Sequence, residues 1–134
     1  MMSFLEFLHE VKVHDMGSGF SVHHHDLGDG HAAMVMFQRN KKTGGASVDY
    51  TVHTPEKPEG TVEPGHIPAH KSTRAIMSVR RSIKNHLSSH PKTSHLDMHG
   101  ASDDQKVAYH RIGKKMGEVS PVGKGGIRIH LKGK

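Results

Sequence analysis

The chain has 134 residues, of which 33% are hydrophobic, with no tryptophan and no cysteine; that length makes one domain with a thin core of aliphatics and methionine. The lack of cysteine removes disulfide frameworks, thiol nucleophiles and zinc-finger sites, and no apolar run approaches the ~20 residues of a membrane-spanning helix. Nineteen Lys and Arg against thirteen Asp and Glu give a net charge of +6, and fifteen histidines add to it in acid, so the surface draws polyanions.

The start, "MMSFLEFLHEVK", sets Phe4, Leu5, Leu8 and Val11 on one stripe and predicts an amphipathic helix within residues 1–16. It lacks the basic flank and long apolar stretch of a secretory signal, and a cytoplasmic location is expected. Gly17, Ser18 and Gly19 break the chain. "FSVHHHDLGDGHAAMVMFQRN" reads as two strands joined by a tight turn at Gly28-Asp29-Gly30. "NKKTGG" is a hairpin loop, and "ASVDYTVHT" is the next strand, with Val48, Tyr50 and Val52 on one face.

Between Pro55 and Pro68 fall four of the six prolines, which forbid a helix there. Ser72 or Thr73 then caps a helix whose apolar positions are Ile76, Val79, Ile83 and Leu87. Its other face carries Arg74, Arg80, Arg81 and Lys84, and Pro91 ends it. "HLDMHG" is a short strand. In "SDDQKVAYHRIGKKMG", Ser102 and Gln105 form a capping box and Asp103 and Asp104 suit the helix start. Gly113 is the expected stop, followed by Lys114 and Lys115. A closing strand alternates Ile127, Ile129 and Leu131. The fold class is α+β: a single domain with one mixed, mainly antiparallel sheet flanked by helices, the helix–strand–helix portion returning its strand beside the meander.

Ala108, Tyr109, "HRI" and Gly113 resemble the last helix of the GNAT superfamily of acetyl-CoA-dependent N-acyltransferases, and the order of elements from about Gly19 onward is similar as well. Lys114 stands where the family usually has an aromatic. The resemblance implies a GNAT-like fold, acetyl-CoA as cofactor, an amine as acceptor and Tyr109 as the general acid that protonates the departing thiolate. It also implies that a backbone amide near Val52 polarises the thioester and that the segment from Ile67 through Ala69, His70, Lys71, Ser72, Thr73 and Arg74 receives the pyrophosphate. The family's loop glycines are missing from that segment, although helix-start amides with Lys71 and Arg74 make a physically credible anion site. An amine must lose a proton before it attacks; the candidate bases are Asp49, His53 and His99, among which the sequence does not choose.

The alternative is a catalytically degenerate GNAT-like protein that uses Lys71, Arg74, Arg80, Arg81 and Lys84 to bind nucleic acid or another protein. With two tyrosines and four phenylalanines, such binding would run through phosphates rather than base stacking. "MSFLEFLHE" resembles the capsid-targeting peptides of internal head proteins of large tailed phages, with Leu8-His9-Glu10 as the processing site, which would place the protein in a virion interior or the host cytoplasm. His23 and His25 of "HHHD" share a strand face and suit zinc, copper or nickel, but the spacing matches no closed site, and no metal is expected.

Overall fold

The computed structural model describes residues 12–61, 67–99, 103–123 and 126–131. Among them the elements run β1 (Lys12–Gly17), β2 (Phe20–Gly28), β3 (His31–Asn40), β4 (Gly45–His53), α1 (Ala69–Ser89), β5 (His95–His99), α2 (Asp103–Met116), β6 (Glu118–Val122) and β7 (Gly126–His130). The strands form one seven-stranded sheet in the order β1-β2-β3-β4-β5-β7-β6. Every neighbouring pair is antiparallel except β4–β5, which is parallel. The architecture is α+β with a mixed sheet, as the sequence led one to expect.

The β2–β3 turn follows from its residues. Asp26 Oδ1 accepts the Gly28 N–H at 2.8 Å, and φ is positive at Gly28 (84°), Asp29 (55°) and Gly30 (76°), a backbone path that glycine follows without penalty and aspartate tolerates. A parallel pair cannot be joined by a hairpin, so α1 carries the chain from β4 to β5 and α2 from β5 to β6. Right-handed crossovers that step the same way put both helices on one face of the sheet. His23, Val35 and Tyr50 form one row across β2, β3 and β4. His86 of α1 stacks on Phe37, against which the His23 ring lies, and Tyr109 of α2 meets Tyr50 edge-on at 5.6 Å. Between helices and sheet lie Val35, Phe37, Val48, Val52, Val79, Ile83, Leu96, Met98, Ile112 and Ile129; burying each such aliphatic or aromatic side chain contributes about 1.5–3 kcal/mol.

The structure departs from the sequence expectations at several ends. Residues 12–16, read as the tail of a helix, belong to strand β1; residues 1–11, with the capsid-targeting resemblance, lie outside the described residues, as does Ser102. α1 begins at Ala69, with Pro68 at the N-cap. The Thr73 hydroxyl does not cap it but donates back to Ala69 O at 3.3 Å. α2 runs through Gly113 to Met116. A Cβ on Gly113 would lie 2.9 Å from Val119 Cγ2 and 3.0 Å from Ile129 Cγ1, so this glycine lets the helix lie close to β6 and β7 rather than ending it. The helix closes instead at Gly117, whose N–H donates to Gly113 O at 3.0 Å. β6 is an edge strand and holds Pro121, a residue tolerated at a sheet edge because it has no N–H to leave unpaired.

Candidate functional site

β4 and β5 part after the pair Val48–Met98, and side chains of α2 occupy the fork. The Tyr50 N–H, left without β5, donates to Asp49 Oδ1 at 2.8 Å, and Tyr50 O accepts from Gln105 Nε2 at 3.2 Å. The Tyr109 hydroxyl donates to Asp49 Oδ1 at 3.0 Å and accepts from Gln105 Nε2 at 3.1 Å. Two residues on, Val52 exchanges both its backbone hydrogen bonds with Thr61, at 2.9 and 2.8 Å. The β4 edge past the fork is therefore closed by the chain itself, including the Val52 amide expected to polarise a thioester.

Tyr109 and Gln105 are each 1% exposed. Burial first, then the Asp49 carboxylate, pushes the phenol well above its ordinary pKa, which holds its proton on the Asp49 hydrogen bond and makes it a reluctant acid. Of the expected bases, Asp49 is brought to Tyr109. His53 is held elsewhere, with Nδ1 against Pro58 O at 2.8 Å and Nε2 against Thr51 Oγ1 at 3.0 Å. His99 is exposed at the end of β5, opposite Gly126 of β7.

The expected pyrophosphate segment is turned to an internal task. Lys71 Nζ donates to Leu27 O at 2.6 Å and to Asp29 Oδ2 at 3.1 Å, and Arg74 Nη1 donates to Leu27 O at 3.0 Å. The two cations clasp the β2–β3 turn, and Asp29 supplies the negative charge at the helix start. The Lys71 hydrogen bond holds the Asp29 carboxyl below the usual carboxylate range. The amides of Lys71 and Ser72 both donate to Pro68 O at 2.9 Å. Ala69, His70 and Thr73 are exposed, Ser72 is half-buried, and Ile67 packs against the core.

On its outer side α1 presents a different surface. Arg80, Arg81 and Lys84 line a shallow cavity of about 250 Å3 with Met77, whose side chain is 56% exposed. Its 21 residues include no Asp or Glu. α2 adds the exposed cations Lys106, Arg111, Lys114 and Lys115 against Asp103 and Asp104. The sequences of α1 and α2 together hold nine Lys and Arg against two Asp, with Lys71 and Arg74 given to the β2–β3 turn.

Two features were missed in the sequence. Gln105, read as a capping residue, reaches the Tyr50 carbonyl of β4. His23, His25 and His86 are buried between α1 and the sheet; the first two alternate in phase with Leu27, a period-two signal that marks an inward face. Among the described residues no group of three or more His, Cys, Asp or Glu is placed to hold a metal, and no helix is long and apolar enough to cross a membrane. Comparison of the chain with protein-family models, curated proteins and solved structures finds no match.

Proposed function

We propose that the chain is a GNAT-type domain that binds nucleic acid through its phosphates, using the layer formed by α1 and α2. The fold reading is supported by the strand order, with parallel β4 and β5 parting after one short stretch and a crossover helix between them. The binding reading is carried by one observation: Arg80, Arg81 and Lys84 surround an exposed Met77 on a helix without a single carboxylate. Such a surface attracts phosphates at long range and gains affinity by releasing their counterions. Tyr50, Tyr109 and Phe37 are buried, so they offer no ring for bases to stack on, and the contacts are to the backbone.

The test is fluorescence anisotropy of a labelled DNA duplex titrated across salt concentrations. Engaging the three cations gives a slope of log K against log salt of about −3, steeper as α2 joins. Affinity that does not change with salt would defeat the reading.

A second reading, acyl transfer from acetyl-CoA to an amine, is favoured by the place of Tyr109 at the β4–β5 fork, where the resemblance puts a general acid. It requires Asp49, Gln105 and Thr61 to vacate the β4 edge and Lys71 to leave Asp29. Thermal-shift titration with acetyl-CoA separates the two: ligand at a hundred times its dissociation constant adds about 2.7 kcal/mol of stability, and no shift at millimolar concentration removes this reading.

A further inference from the structure

α1 rests on the sheet along a seam in which polar groups alternate with Ala75, Val79 and Ile83. At its start, Lys71 and Arg74 hold Leu27 O. Midway, His25 Nε2 meets Ser82 Oγ at 2.5 Å. Toward its end, His86 stacks on Phe37 at 4.4 Å with planes 4° apart. The His23 ring approaches the same phenylalanine at 4.8 Å, and His90 stacks on His86 at 4.4 Å. His23, His25 and His86 are 2%, 4% and 3% exposed. His23 Nδ1 and His86 Nε2 are buried without a hydrogen-bond partner.

A neutral imidazole tolerates such a place, because one ring nitrogen is a bare acceptor. A protonated ring has two N–H donors and a charge; His86 Nε2 would then be a buried donor with no acceptor, and His25, whose Nε2 keeps Ser82 Oγ, would bury a charge with no carboxylate to offset it. The neighbours give no relief: His25 faces His23 and His24 of β2 and Arg81 of α1. His86 faces His90 just past α1, His23 of β2 and Arg39 of β3. All of these are bases.

We propose that this seam is an acid-operated latch: protonation of His25 and His86 drives α1 off β2 and β3 while α2 stays seated on β6 and β7. α1 lies mainly on β2 and β3, whereas α2 lies on β6 and β7 and is tied to β4 through Gln105 and Tyr109, so α2 keeps its own anchors when α1 leaves. Burial, reinforced by the neighbouring bases, holds His25 and His86 at about 4, well under the ordinary histidine value, so the latch stays closed at neutral pH. The inference stands whatever α1 binds.

Hydrogen exchange of the whole chain between pH 7 and pH 4.5 tests it. Protection factors over residues 69–89 fall below pH 6.5 by about tenfold per pH unit for each titrating imidazole, while those over residues 103–116 hold. Parallel loss in both helices, or unchanged protection of α1 down to pH 4.5, overturns the proposal. His86→Phe keeps the stack on Phe37 but cannot titrate, and its α1 opening takes up one proton fewer; an unchanged pH slope overturns the proposal as well. Should that variant fail to fold, imidazole NMR of the unaltered chain decides: two rings that titrate below pH 5 together with α1 opening support the latch, and titration of every ring near pH 6.5 excludes it.

Discussion

The Tyr109 hydroxyl and the Asp49 carboxylate meet at 3.0 Å although they belong to opposite sides of the sheet. Tyr109 comes from the helical layer, and Asp49 alternates with the inward-facing Val48 and Tyr50. The bond passes through the fork where β4 and β5 part, and Gln105 bridges both partners. A group that helps to close the fork is a structural brace first.

Tyr109→Phe therefore lowers stability by about 1 kcal/mol, the net worth of one hydrogen bond, because exposed Asp49 regains water and Gln105 keeps the Tyr50 carbonyl. Urea denaturation measures this. If the chain transfers acyl groups, the same variant loses turnover while keeping acetyl-CoA affinity, and unchanged turnover removes Tyr109 from that chemistry.

Gly113→Ala separates a packing glycine from a helix stop. In an exposed helix the change stabilises by about 1 kcal/mol. Here the new methyl presses on Val119 and Ile129 at about 3 Å, and overpacking of this kind costs about 1–3 kcal/mol. The expected sign in a urea melt is a loss, and a gain would mean that α2 lies further from the sheet.

The sequence made the meander legible because its signals are local. Gly-Asp-Gly demands a turn, and Val48, Tyr50 and Val52 alternate into the core. β1 gave no such signal, since its Val13 and Met16 are 47% and 63% exposed and an edge strand needs no buried face. Pro121 masked β6 for a related reason. The run past Gly113 was hidden because the contact that requires glycine lies on strands five and more residues further along the chain. At the site, the pairing of Asp49 with Tyr109 joined two residues already singled out. The inward turn of Lys71 and Arg74 was not visible, since a cation reads the same whether it awaits a phosphate or holds a carbonyl.

For nucleic-acid binding, Arg80→Ala and Lys84→Ala each make the slope of log K against log salt shallower by about 1 and weaken binding uniformly across sequences. Lys42→Ala, in the exposed β3–β4 loop, leaves the slope unchanged. Equal effects at all three positions would mean diffuse attraction to the whole cationic chain.

Acid stability follows from the histidines with a definite sign. Above pH 6.5 the rings are neutral in the folded and unfolded chain, so they add no pH dependence. Below it the unfolded chain takes up protons that His25 and His86 refuse until about pH 4. Stability therefore falls across that window, by about 3 kcal/mol for each ring. Urea midpoints at pH 7, 6 and 5 show it, and a flat series excludes it.

Ser82→Ala removes the hydroxyl beside His25 Nε2 and leaves a buried ring nitrogen unsatisfied, at a cost of about 1–3 kcal/mol at pH 7. Urea melts that match the unaltered chain would show that water replaces the hydroxyl.

The two rims of the sheet are not equivalent. At β6, Pro121 interrupts the row of donors that an incoming strand would need, whereas β1 presents its row from Lys12 to Gly17 beside exposed Val13 and Met16. Among the described residues, an added strand would therefore meet a row that no proline interrupts at β1 and an interrupted one at β6.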